Sequence, residues 1–368
     1  MRTGDGKSEH KMIKKECFTA EWIEQVSSEL HYNDKNLIEK VIRALSLLEM
    51  LVKAGCPLVF KGGTALMLIL GKSAHRLSID IDLICPPGTN IEDYLKSFAD
   101  FGFINLELVE RKQRDDADIP KSHSKFFYQI AYRNDTDAQS YILLDVLYED
   151  IHYFRTQQIA INCPFIRLEG KPLMVTVPSA EDILGDKLTA FAPNTTGIPY
   201  YKNGRSCSME IAKQLYDVGR LFENVSDLQI TKEAFRKIAV VELSYRSFGT
   251  DIGQVFNDIR QTALCISTRG KAGEGDFDLI QDGIIRVKSF MYKQRYLIDH
   301  AIIDAARAAY LATLIEKGIN EIESYSNNPA DIKDMVIRPS LPNKLNKLRS
   351  NLPEAYYYWA KTSELLEA

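Results

Sequence analysis

The segment from Phe60 to Leu83, FKGGTALMLILGKSAHRLSIDIDL, constrains this chain most. Gly62-Gly63 follows a short apolar run, Leu58 to Phe60, and precedes a second one opened by Ala65. A glycine pair lets backbone N–H groups come close to phosphate oxygens, and a helix start just after it favours anions. Farther on, Asp80 and Asp82 alternate with Ile79, Ile81 and Leu83. On a strand these aspartates share one face with Ser78. Asp is a poor strand former, and two like charges on one face repel unless a cation offsets them. The bland reading is a solvent-facing edge strand. The flanking isoleucines favour a buried strand carrying two metal-binding carboxylates, as a Mg²⁺-bound nucleoside triphosphate requires.

A P-loop inside the same segment is excluded. Gly71-Lys72-Ser73 matches the end of that motif, but Leu66 stands where its first glycine belongs.

A chain of 368 residues exceeds one ordinary core, so two domains are expected. The net charge of -4 gives nucleic-acid binding no bulk support and leaves it to local patches. None of the six cysteines is spaced as CxxC, so neither a zinc site nor a disulfide framework is expected. No signal-peptide core and no apolar run of membrane-spanning length is present. The expected setting is cytoplasmic.

Residues 1–16 read as a polar, mobile segment. Apolar periodicity predicts a helix over 34–54, with Asp34 near its start and Gly55 as its stop, and another over 91–101. Strands are expected at 58–60, 77–85, 104–111, 126–133, 141–148 and 173–177, with a turn at Asn134-Asp135. From Pro178 onward helices dominate: 179–192, 209–223, 231–247, 251–268, 276–290, 293–317 and 352–366. The fold class is α+β, with one domain over 17–175 and a helical one over 176–368. The loop 193–208 is long and carries Tyr200, Tyr201, Lys202 and Arg205, a composition more often functional than decorative.

Asp145 interrupts an apolar strand, YILLDVLYED. A carboxylate buried there without a partner is costly, so it either bonds a tyrosine or turn, or joins Asp80 and Asp82 as a metal ligand or general base. Thr64 can bond phosphate or cap a helix. Lys61 and Arg76 read as phosphate ligands or plain surface charge. Lys187 lies on a helix that Ser179 can cap, with Asp182 as a short capping-box acid, and points to solvent or to the other domain. Asp217 is ambiguous by itself. Basic clusters at Arg111-Lys112-Arg114, Lys202-Arg205 and Lys344-Lys347-Arg349 could grip RNA phosphates or be solvated surface.

Taken in order, Lys61 to Leu66 (KGGTAL), Arg76 to Leu83 (RLSIDIDL), Asp145, Glu181 to Ala190 and Leu215 to Val218 resemble the AbiEii/AbiGii toxin family of nucleotidyltransferases, which includes the MenT toxins. The resemblance covers roughly the first 220 residues. It implies a polymerase-β-like nucleotidyltransferase domain, a mixed sheet with flanking helices, followed by a mostly helical domain. It also implies NTP as substrate and Mg²⁺ as cofactor. Gly63 and Thr64 would cradle phosphate, with Lys61, Gly62, Arg76 and Ser78 beside the nucleotide. Asp80 and Asp82 would hold metal, with Asp145 as the third acid. Lys187 would contact the triphosphate, and Asp217 would complete the site. A separate antitoxin protein accompanies such toxins, and some members add nucleotides to the tRNA acceptor end; a protein or small-molecule acceptor, or a degenerate binding module, is the alternative. Lys213-Gln214 departs from the arginine-aspartate usual in the family.

Overall fold

A computed structural model describes residues 13–109, 121–133, 138–246, 249 and 251–368. The Arg111-Lys112-Arg114 cluster and the Asn134-Asp135 turn lie outside the described residues. The protein is α+β, with 52% of the described residues helical.

Two helices, α1 (Ala20–Leu30) and α2 (Lys35–Lys53), precede the sheet. The Asp34 side chain caps α2 by accepting the Leu37 N–H, and nearly every turn of α2 is buried. Strand β1 (Val59–Lys61) runs straight into α3 (Gly62–Leu70). Then come β2 (Ile81–Cys85), β3 (Asn105–Val109), β4 (Lys121–Gln129) and β5 (Gln139–Tyr148). They form one mixed sheet in the order β1-β2-β5-β4-β3, in which only the β2–β5 pair is parallel. A hairpin-like pair, β6 (Thr156–Ala160) and β7 (Met174–Pro178), closes this half.

The second half is helical. Helix α4 (Ala180–Ala190) leads to a small hairpin, β8 (Tyr201–Lys202) and β9 (Arg205–Ser206), inside the loop expected at 193–208. Helices α5 (Ser208–Phe222), α6 (Gln229–Tyr245), α7 (Ile252–Ser267), α8 (Phe277–Val287), α9 (Ile298–Lys317), α10 (Leu348–Asn351) and α11 (Pro353–Glu367) follow. Buried apolar side chains form two clusters. One spans Ile13 to Val177 and takes in Tyr292; the other spans Ile183 to Ala360 and takes in Leu66.

Four expectations need correction. Ile13 is buried, donates its N–H to Glu49 and bridges to Leu168, so packing already includes this residue of the segment expected to be mobile. The segment 91–101 forms two short 3₁₀ turns, Ile91–Tyr94 and Phe98–Phe101, instead of one helix. Strand β4 begins five residues before the expected 126, because the polar stretch KSHSK alternates faces just as the apolar stretch after it does. Strand β2 starts at Ile81, not Leu77. Its neighbour β1 has by then turned into α3, so the preceding residues have no partner on that side. They pair with the helical half instead: the Leu77 N–H donates to the Phe290 carbonyl at 2.8 Å, and Arg76 bridges to Met291.

Candidate active site

Sheet register places the acids. Lys61 pairs with Asp82, Asp82 with Asp145, and Asp145 with His123, so these four side chains form one row across β1, β2, β5 and β4. Asp80 stands just ahead of β2. Its carbonyl accepts the Thr64 hydroxyl at 2.7 Å, which ties the approach to β2 onto α3. Thr64 is fully buried, and no side-chain cap bond forms at the start of α3.

The glycine pair is demanded by this packing. Gly62 has φ +77°, and a Cβ there would lie 2.0 Å from Asp82 Oδ2. A Cβ on Gly63 would lie 2.6 Å from Ser78 Oγ and 3.0 Å from Arg76 Nη2. Only a bare backbone lets the turn approach the carboxylate and the guanidinium together.

The acids are crowded. Burial, then the charges of Asp80 and Asp145, push the Asp82 carboxyl up to about 7, against the pull of Lys61 and Lys187. Burial also raises Asp80, with Lys213 opposing and Asp145 adding to the rise. Among the described residues, Asp145 has neither a tyrosine nor a turn as its partner. Its carboxylate is partly exposed and forms a short hydrogen bond with His123 Nδ1.

The helical half supplies the opposite wall. Arg76 Nε and Nη2 reach Asp217 Oδ1 at 3.0 and 2.8 Å, and Nη2 also reaches Oδ2 at 2.8 Å. Lys187 Nζ lies 3.0 Å from the same Oδ2 and 3.0 Å from Gln214 Oε1. Asp217 is 2% exposed. Burial raises its carboxyl, but Arg76 and Lys187 outweigh that and hold it below the usual carboxylate range. Asp217 therefore anchors two cations and joins the segment before β2 to α4 and α5. Lys61 Nζ lies 3.6 Å from Asp186 Oδ2, which also accepts the Tyr153 hydroxyl at 3.0 Å. On α4, Ser179 caps as expected, while the Asp182 carboxylate turns to the Phe154 and Arg155 N–H groups.

A cleft of about 410 Å³ opens between the walls. It is lined by Lys61, Gly62, Gly63, Arg76, Ser78, Asp80, Asp82 and Lys187, eight of the residues expected from sequence. Thr64 and Asp217 lie behind that lining, and Asp145 sits one strand over. Sequence reasoning missed His123, Asp186 and Tyr153. His123 was legible in principle, since it alternates with buried Ser124 and Phe126 once β4 is extended.

A cleft with a glycine turn, paired aspartates and several cations is suited to a nucleotide polyphosphate. Residues 45–329 match the model of the family described as nucleotidyl transferase AbiEii toxin, type IV TA system. No curated protein matches the chain in sequence. Among solved structures, JHP933 from Helicobacter pylori is 17% identical over 76% of this chain and 94% of that one, with a TM-score of 0.41. MenT4, a nucleotidyltransferase toxin from Mycobacterium tuberculosis H37Rv, is 11% identical over 80% and 89%, with a TM-score of 0.43. With the family model spanning most of its length and both walls of the cleft, the chain belongs to the AbiEii nucleotidyltransferase toxin family.

Proposed function

We propose that this protein moves an NMP from an NTP to an acceptor hydroxyl on RNA, tRNA first among them, and releases pyrophosphate. We further propose that it acts as the toxin of a pair with its own antitoxin protein, as its family membership suggests. In this reading residues 17–175 are the catalytic domain and 176–368 the helical domain, with the reaction in the cleft between them. The observation that carries the proposal is the row Lys61–Asp82–Asp145, with Asp80 beside it and the Gly62-Gly63 turn packed against Asp82.

The residues fit a divalent cation. Two crowded carboxylates, pushed up despite the lysines nearby, are what a cation would relieve. Among the described residues no three His, Cys, Asp or Glu side chains form a ready metal cage. Mg²⁺ commonly takes one or two carboxylates and completes its shell with substrate phosphates and water. Asp80 and Asp82 would hold it. Bound there, it would neutralise charge on the α-phosphate and on the leaving pyrophosphate. Asp145, oriented by His123, would take the proton of the attacking hydroxyl. The Gly62-Gly63 backbone would line the phosphate path, and Ser78 would face it.

Support for an RNA acceptor comes from the β8–β9 hairpin. Lys202 and Arg205 are directly opposed across it, exposed, and form no ion pair among the described residues. Two opposed cations repel, and a phosphate between them would reverse that. Ile198, three residues before the hairpin, lines the cleft. By contrast Lys344 and Arg349 spend their side chains on backbone carbonyls of Lys271, Ile332 and Lys333.

The test is incubation with tRNA, Mg²⁺ and each α-phosphate-labelled NTP. Wild type should label RNA and release pyrophosphate, and Asp80→Ala should do neither. Equal labelling by both would remove the site assignment. Labelled protein with unlabelled RNA would move the acceptor, and release of NDP would make the enzyme a phosphotransferase.

A further inference from the structure

Four cations line the cleft: Lys61, Arg76, Lys187 and Lys213. Three already form ion pairs, with two carboxylates between them. Lys61 faces Asp186, while Arg76 and Lys187 share Asp217. Lys213 on α5 differs, because among the described residues it forms no ion pair. Its Nζ lies 3.9 Å from the centroid of the Phe290 ring, a cation–π contact that holds the ammonium in place. Phe290 is itself fixed to the metal-site approach, since its carbonyl accepts the Leu77 N–H at 2.8 Å.

The groups acting on Lys213 are Arg76 and Asp80 from the sheet half, and Glu210 and Asp217 from its own helix. Burial, then the Arg76 charge, push its ammonium down to about 8 despite the three acids. A half-buried cation beside a guanidinium, with no carboxylate in contact, is an incomplete arrangement. An anion entering the cleft would complete it. Lys187, the lysine that sequence pointed to, already spends its ammonium on Asp217 and Gln214.

We propose that Lys213 forms the polyphosphate subsite of the cleft and binds the β- and γ-phosphates of the NTP from the α5 wall, across from Asp80 and Asp82. This rests on the nucleotidyltransferase reading above. A lysine suits the role, since its compact ammonium serves a mobile phosphate tail as a point charge. Lys187 and Arg76 then act as positioning residues, held by Asp217, that shape the wall.

The experiment is equilibrium binding by calorimetry, with Mg²⁺, of three probes: the α,β-methylene analogue of each ribonucleoside triphosphate, the matching NMP, and inorganic tripolyphosphate. The proteins are full-length wild type, Lys213→Met and Lys213→Arg. Methionine keeps an apolar stem against Phe290, and an unchanged melting temperature shows that the fold is intact. Lys213→Met should weaken the triphosphate analogue and tripolyphosphate by about tenfold or more and leave NMP binding unchanged, as loss of a charge-assisted phosphate contact implies. Lys213→Arg should restore most of the affinity. If wild type binds the analogue and Lys213→Met binds it equally well, the Lys213 subsite is overturned and the nucleotidyltransferase reading stands. Equal losses for NMP and NTP overturn the subsite too, since they show a general change in the pocket. If wild type binds no triphosphate, the reading of the cleft falls and the subsite with it.

Discussion

On the sheet wall, Asp80, Asp82 and Asp145 crowd together, and Lys61, the cation in their row, is itself matched by Asp186. On the helical wall, Asp217 is enclosed by Arg76 and Lys187 and is almost fully buried. Both walls contain acids and bases, but in opposite proportions: acids crowd the sheet wall, while on the other side one acid serves two cations and Lys213 forms no ion pair among the described residues. Asp217 with its two cations ties the two halves of the molecule together. The crowded acids carry an excess of negative charge that a cation can offset. The contrast separates residues kept for architecture from residues kept for chemistry, although both kinds are charged and both face one cleft.

Substitutions should break that contrast in opposite ways. Asp80→Asn or Asp82→Asn should lower nucleotidyl transfer about a thousandfold or more, as loss of a metal-holding carboxylate does. The melting temperature of the metal-free protein should hold or rise, because a repelling charge is gone. Asp217→Ala should do the reverse to stability. Leaving Arg76 and Lys187 without their acid should cost about 3–5 kcal/mol in denaturant unfolding, and activity should fall with the displaced wall. A destabilised Asp82→Asn, or an Asp217→Ala as stable as wild type, would erase the distinction.

Smaller effects sharpen it. Gly62→Ala places a methyl at 2.0 Å from Asp82 Oδ2 and in a left-handed backbone. It should cost about 1–3 kcal/mol and reduce transfer by displacing the carboxylate. His123→Ala should lower kcat about tenfold, a common size for a residue that orients a reacting group, with NTP affinity unchanged. Asp82 also predicts a pH effect. Its folded carboxyl titrates near 7, against 3.8 for the free group, so the folded protein binds the extra proton between those values. Stability of the metal-free protein should therefore fall as pH rises through that window, and Asp82→Asn should flatten the slope.

Much of the sheet wall was legible in the sequence because its signals are local. The glycine turn, the alternating aspartates and the apolar flanks all lie within one short segment. Asp145 could be flagged by its apolar neighbours, but its partner His123 depends on which strand lies beside β5. The helical wall was legible mainly through family resemblance. Nothing local shows that Asp217 meets Arg76, since that contact joins residues 141 apart in the chain. Thr64 misled for a related reason: a hydroxyl after a glycine turn suggests phosphate, whereas here the nearer acceptor is the Asp80 carbonyl. The balance among the cations, which singles out Lys213 over Lys187, emerges only when both walls are seen together.

The claim that the sheet wall waits for a cation is tested most directly by thermal denaturation with and without Mg²⁺ and a non-transferable NTP analogue. Wild type and Asp82→Asn should be compared at pH 6 and pH 8. The account predicts that Mg²⁺ with the analogue raises the melting temperature of wild type, more at pH 8, where Asp82 is ionised, than at pH 6. It predicts little shift for Asp82→Asn at either pH. An equal shift in both proteins, or none in wild type at pH 8, would contradict it.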